Sequence, residues 1–204
     1  IRLNIETSIK HSNSEVSGLF ILELLNMNNS FNYIIKNNSL SFLSKDKKFD
    51  GKLNFKPFYF SSNLNFDYIN QRKIFQKDSL LLDLFNSELL NNPNLSAIIN
   101  IFIKKIDKFE YLEDYTFKLE FDDGRIFINN FDTKWNKSVS INSNDIEFIN
   151  NEDGKRLIGE ILFNFDDIEK FFRYFQIKRN YRNVFDEIKA DINYDFVSNK
   201  LIIN

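Results

Sequence analysis

Cysteine is absent from the 204-residue chain. That excludes disulfides, thiolate zinc sites and cysteine nucleophiles. There is a single His, His11, so a histidine-based metal site lacks its second ligand. His11 lies in the polar run His11-Ser12-Asn13-Ser14 and reads as a solvated loop residue, with no Gly-x-Ser-x-Gly elbow to build a triad around it. Five scattered Gly cannot form a phosphate-cradling loop. The two Pro, Pro57 and Pro93, leave most of the chain free of breakers. A charge excess is missing too: 27 basic against 29 acidic residues give a net charge of -2, unlike a nucleic-acid binder with a basic surplus. The longest apolar runs, 18–25 and 97–103, are interrupted by Glu23 and Asn100 and fall far short of a membrane span.

What is abundant is equally skewed. There are 24 Phe and roughly 30 Asn, but only two Ala, Ala97 and Ala190. Phe, Ile, Asn, Lys and Tyr share A/T-rich codons, so the bias reads first as a genomic one. The Asn residues fall singly on polar strand phases and in turns, where Asn tolerates a left-handed backbone.

The dominant pattern is a two-residue beat. Phe117, Leu119 and Phe121 alternate with Lys118 and Glu120; Ile161, Phe163 and Phe165 alternate with Leu162 and Asn164. From Ile188 to Phe196 every second residue is apolar. Successive strand side chains point to opposite faces, so this beat makes one apolar and one polar face. The expected fold is mainly β: a large twisted antiparallel sheet with two helices packed at its face or ends. Strands are expected at 1–9, 18–25, 31–35, 40–43, 51–55, 58–68 and 97–106. Further strands are expected at 115–121, 125–129, 139–142, 145–149, 156–165, 187–196 and 200–203. Asp122-Asp123-Gly124 and the stretch with Asp153-Gly154 are hairpin turns by their Asp-Gly signal. Pro57 suits a bend or an edge.

Two segments switch to a helical period. In 78–90, Leu81, Leu82, Leu84, Phe85 and Leu89 span an apolar arc. In 168–185, Ile168, Phe171, Phe172 and Phe175 follow i, i+3, i+4, i+7. Asp166 with Glu169 resembles a capping box. The phase weakens after Gln176, so the helix is expected to break at 177–180 and resume over 181–185. With no internal linker, residues 1–204 read as one β-rich domain. Its start at Ile1 reads as a fragment of a longer chain.

No set of residues carries catalysis. The acidic pairs Asp122-Asp123, Glu152-Asp153 and Asp166-Asp167 sit where turn or cap chemistry accounts for them, not where carboxylates would converge on a sugar or calcium. The chain is read as a non-enzyme with no metal or cofactor. Arg173, Lys178, Arg179 and Arg182, interleaved with Tyr174 and Tyr181, form a basic cluster that is either a solvated helix face or a contact for lipid headgroups or nucleic acid. Trp135 is read as packing on its own sheet, or as a ligand platform.

The second half resembles AsmA-like bacterial envelope proteins. Asp123-Gly124-Arg125-Ile126-Phe127-Ile128-Asn129-Asn130 resembles their strand pairs, as does Ile146-Glu147-Phe148 followed by Leu157-Ile158-Gly159-Glu160-Ile161. So does Phe163-Asn164-Phe165 running into Asp166-Asp167-Ile168-Glu169-Lys170-Phe171-Phe172, then through Tyr181-Arg182 to a closing strand at 188–196. The resemblance covers roughly 50–204. It implies a β-sheet groove that handles phospholipid in outer-membrane biogenesis, in the periplasm. It also implies an inner-membrane anchor outside this chain, and it supplies no catalytic residues. On this reading the apolar sheet face is an acyl-chain groove, with Leu53, Phe55, Leu64, Phe66, Phe117, Leu119, Phe121, Ile161, Phe163 and Phe165 as its candidates. The headgroup candidates are Arg173, Lys178, Arg179 and Arg182. The expected partner is a phospholipid or other lipid, with no nucleic acid. The alternative is a structural or protein-interaction β-domain of a surface or phage protein with a sealed core.

Overall fold

The computed structural model describes residues 2–10, 14–24, 27–70, 92–151, 154–198 and 200–204. Its side chains are described at 14–22, 29–70, 92–149, 154–198 and 200–204. The helix expected over 78–90, His11 and the Glu152-Asp153 pair lie outside the described residues.

The described residues form a 14-stranded sheet. Its first half comprises β1 (Arg2–Lys10), β2 (Glu15–Leu24), β3 (Met27–Lys36), β4 (Ser39–Ser44), β5 (Phe49–Phe55), β6 (Phe58–Phe66) and β7 (Ala97–Lys105). The second half comprises β8 (Leu112–Asp122), β9 (Arg125–Trp135), β10 (Val139–Ser143), β11 (Ile146–Asn151), β12 (Gly154–Phe165), β13 (Glu187–Asp195) and β14 (Lys200–Ile203). Between β12 and β13 come helix α1 (Ile168–Tyr174) and a 3₁₀ turn, Arg179–Tyr181. Except for β10 and β11, which both lie between β9 and β12, neighbours in sequence are neighbours in the sheet.

The expectation of a purely antiparallel sheet is corrected at one place. β6 and β7 run parallel, with Phe60 opposite Ala97 and Phe66 opposite Ile103. A parallel neighbour needs a crossover of a dozen or more residues, and the segment between Phe66 and Ala97 is long enough to return the chain to the same end of the sheet.

Turn chemistry sets the hairpins. Asn37-Asn38, Asp123-Gly124 and Asn136-Lys137 all take positive φ at both positions, the type I′ geometry that matches strand twist. β10 and β11 together form one interrupted strand. Both pair with β9 in a single unbroken register, Val139 opposite Trp135 and Ile146 opposite Ile128. Against β12 the register shifts by one residue, with Asn142 opposite Leu162 but Ile146 opposite Gly159. That is a β-bulge, with one extra residue on the β10–β11 side.

Directly paired residues share a face, so the registers trace rows across the sheet. One row runs Val16, Ile35, Leu40, Leu53, Phe60, Ala97, Phe121, Ile126, Phe148, Leu157, Tyr194, Leu201. Every member is apolar or aromatic. A row on the opposite face runs Asp50, Asn63, Asn100, Lys118, Asn129. The sheet therefore keeps one apolar face from β2 to β14. Ala97, Phe121, Ile126 and Phe148 form its best-buried cluster, and Ile69, Ile103 and Tyr115 form a second.

Polar atoms buried among these apolar rows turn back to the backbone, as buried donors must. The Ser62 hydroxyl donates to the Asp50 carbonyl at 2.7 Å, and the Thr133 hydroxyl to the Glu113 carbonyl at 2.9 Å. Tyr115 is the exception among the described residues: its hydroxyl is buried without a partner, and burial pushes it up to about 12. An orphaned hydroxyl loses its hydration without a return. Tyr115→Phe is therefore expected to be neutral, or stabilising by up to about 1 kcal/mol. Because the folded-state pKa lies above the unfolded one, wild-type stability should fall as pH rises from about 10 to 12. The Phe variant should lack that share of the fall. Urea unfolding of both proteins at pH 8 and pH 11 checks this, and a loss of more than about 1 kcal/mol at pH 8 would contradict it.

Helix α1 begins one residue later than the expected capping box. Asp167, not Asp166, is the N-cap, and its carboxylate accepts from the Lys170 N–H at 3.1 Å. That bond holds the Asp167 carboxyl below its ordinary range. The helix ends at Tyr174, and Gln176 adopts φ 53°. The expected helix over 181–185 is not formed. The Arg182 Nε donates to the Ile177 carbonyl and its guanidinium pairs with Glu169, which folds the chain back on α1. Phe185 then packs its ring against Phe165 and Phe172 from non-helical backbone.

Candidate functional site

The apolar face is built by alternation, and its side chains reach beyond their immediate neighbours. Phe20 and Phe42, two strands apart, have ring centroids 6.2 Å apart. Phe31 and Phe49 meet at 6.3 Å, and so do Phe42 and Phe60. Adjacent strands are separated by about 4.8 Å, so these rings lean over the strand between them. Under them lies a cavity of ≈ 160 Å³ lined by Leu22, Asn29, Phe31, Phe42, Phe49, Phe60, Ser62, Leu64, Phe66 and Ile99.

All ten apolar candidates read from the sequence lie on this one face. Leu53 belongs to the long row, and Leu64 faces Phe49 and Ile101. Phe117 and Leu119 face Ile101 and Ile99. Ile161 and Phe163 face Ala190 and Ile188 across β13, and Phe165 faces Val139. Phe121 is buried, Phe55 is exposed, and the rest are half-buried. Only Leu64 and Phe66 among them line the cavity. The sequence reading missed Phe31, Phe42, Phe49 and Phe60. The aromatic density on alternate positions between 31 and 66 was the available signal.

Helix α1 closes one end of the face. Trp135 packs its ring against Phe171 at 5.8 Å, Tyr174 at 4.9 Å and Phe175 at 5.8 Å. Trp135 is thus the seat of the helix. Phe165 meets Phe171 at 5.2 Å, and Phe172 is buried beneath. α1 is the only α-helix among the described residues, and no helix there is long and apolar enough to cross a membrane.

The basic cluster separates into two roles. Arg182 is committed to the fold: besides Glu169 and the Ile177 carbonyl, its guanidinium lies 5.7 Å from the Phe172 ring centroid. Arg173 donates to the Glu169 carbonyl, while Lys178 and Arg179 are exposed.

The opposite face carries a polar ladder. The Asn63 amide donates to Asp50 at 2.8 Å, and the Asn100 amide to Asn63 at 2.9 Å. Lys118 pairs with Glu120 at 2.8 Å, holding that carboxyl below its usual range. Other lowered carboxyls have equally local causes. Asp46 accepts from the Ser44 hydroxyl, and Asp195 accepts the Ser198 N–H in a turn. Among the described residues no group of carboxylates and His converges as metal ligands would.

No known protein family, curated protein or solved structure matches this chain.

Proposed function

We propose that the apolar sheet face binds lipid acyl chains, and that the chain is a non-enzymatic lipid-binding or lipid-transfer module. The observation that carries this reading is the unbroken apolar row from Val16 to Leu201. Beside it lies the cavity under Phe31, Phe42, Phe49 and Phe60. In this reading the sheet is an elongated, taco-like groove with the aromatic side chains turned inward. Burial of one methylene contributes about 0.8 kcal/mol, so a sixteen-carbon chain gains roughly 12 kcal/mol before ordering costs. Such a site needs shape and apolar area, and no reacting group. The resemblance to AsmA-like envelope proteins supports extending the proposal to phospholipid handling in the bacterial periplasm, with a membrane anchor outside this chain.

The test is titration with a fluorescent fatty acid and a fluorescent phospholipid. Saturable binding is expected for the wild type. Ile99→Trp fills the cavity instead of opening it, so it should lower fatty-acid affinity at least tenfold while the thermal midpoint holds or rises, as for a cavity-filling substitution. Absence of saturable binding by the folded wild type, across fatty acids and phospholipids, would favour a sealed structural core.

A further inference from the structure

The helix end of the sheet exposes aromatic rings that its fold does not need to expose. Tyr111 is 49 % exposed, Tyr174 42 % and Phe175 54 %. They are not scattered. Tyr111 and Tyr174 rings lie 5.0 Å apart, and Tyr174 and Phe175 lie 5.1 Å apart around Trp135. Isolated exposed apolar residues mean little, but a contiguous group marks an interaction surface. Tyr and Trp favour the boundary between hydrocarbon and water because each ring carries a polar atom.

The exposed cations that lie near these rings in sequence select the partner. Arg173 lies within α1, next to Tyr174; Lys178 and Arg179 follow on the segment after it, and all three are exposed. Lys178 and Arg179 form no ion pair with any described residue. Arg182 is excluded because Glu169 already occupies it. The whole chain is slightly acidic, at -2, so long-range attraction does not draw it to an anionic surface. Attachment there requires a local patch of this kind. Each Lys or Arg held near an anionic membrane surface adds to the attraction.

We propose that this end of the sheet docks onto a bilayer containing anionic lipid. Tyr111, Tyr174 and Phe175 sit at headgroup level, and Arg173, Lys178 and Arg179 face the phosphates. The inference goes beyond acyl-chain binding and rests on different residues. It has one consequence for that reading: Trp135 shares the apolar face with Val139 and Phe165, so docking would bring the end of that face to the membrane.

The experiment uses the full chain and sucrose-loaded vesicles of phosphatidylcholine with phosphatidylglycerol. Trp135 is the sole Trp, so its emission reports on the patch. Expected results are co-sedimentation, a blue shift, and quenching by brominated lipid. The triple variant Arg173→Glu, Lys178→Glu, Arg179→Glu should lose at least tenfold in vesicle affinity at an unchanged thermal midpoint. Phe175→Ser should lose affinity as well. Ile99→Trp should sediment like the wild type even where it no longer takes the fatty acid, which separates the two proposals. The docking proposal is overturned if the wild type stays in the supernatant, if the triple variant sediments equally well, or if pure phosphatidylcholine vesicles bind as tightly.

Discussion

Phe172→Ala is expected to lower the unfolding free energy by about 3–5 kcal/mol. Phe172 is 3 % exposed, so truncation removes nearly the whole benefit of a buried ring and leaves a cavity. Its neighbours depend on it. Phe171 and Phe185 approach it at 6.3 and 6.2 Å, and the Arg182 guanidinium rests over its face. The Phe172 carbonyl also accepts the Ile177 N–H at 2.9 Å, closing the turn after α1. A seven-residue helix cannot sustain itself by hydrogen bonding, because nucleation costs more than so few bonds return. Packing on Trp135 and Phe165 therefore decides whether it forms, and Phe172 is the deepest part of that packing. Tyr181→Ala is the matched control: Tyr181 is 70 % exposed, and its loss should stay within about 0.5 kcal/mol. Denaturant unfolding of the two variants measures the difference. A Phe172→Ala effect below about 1 kcal/mol would mean that α1 is peripheral to the fold.

The helix illustrates what the sequence could and could not disclose. Ile168, Phe171, Phe172 and Phe175 announced an apolar face by spacing alone, and α1 formed there. Residues 181–185 carried no such spacing and formed no α-helix; the Arg182 contacts that shape them are tertiary and invisible to periodicity. Strand existence was equally legible, because alternation survives in Phe117–Phe121 and 188–196. Strand direction was not. A two-residue beat is the same in parallel and antiparallel pairing, so the parallel β6–β7 contact left no trace in Leu64-Asn65-Phe66 or Ile99-Asn100-Ile101. Bulges were hidden for a related reason. Ile128 and Phe131 both serve the apolar side although three residues apart: Ile128 faces Leu119, and Phe131 packs near Tyr115 and Ile103. Asn130 at φ 53° absorbs the extra residue. A bulge looks like a broken pattern until its register is known.

The candidate face shows the same division. Which residues share it followed from alternation. Which of them border open space did not, because that depends on how far rings two strands apart lean together. The cavity consequently falls under Phe31, Phe42, Phe49 and Phe60, while Ile161 and Phe163 serve as ordinary members of the face. Trp135 was ambiguous for want of a partner. Once Phe171, Tyr174 and Phe175 stand around it, its structural role is plain, and the exposed rings beside it become the feature that asks for an explanation.

Gly159→Val is expected to cost about 3 kcal/mol or more, and Gly159→Ala about 1–3 kcal/mol. Gly159 faces Ile146 on one side and Ile192 on the other, at the level where the β10–β11 strand carries its extra residue. A Cβ there would lie 2.7 Å from the Asp145 carbonyl oxygen and 2.9 Å from the Ile146 Cα. Both are backbone atoms of the bulge, so neither can swing aside as a side-chain tip would. Relief requires the bulge to move, and the buried Ser143 hydroxyl, which donates to the Glu160 carbonyl, ties it to β12. The cost should therefore appear as overpacking against a rigid neighbour. Gly51 offers the comparison. A Cβ there meets mainly the far end of the Phe42 ring, and that ring borders the cavity, so it has room to turn. The Ser61 carbonyl at 2.9 Å still makes Gly51→Ala unfavourable, but by less than Gly159→Ala. Thermal and urea unfolding of the two Ala variants should give that order. The reverse order would mean that the bulge yields more readily than the aromatic cluster, and that the register shift between β11 and β12 is soft.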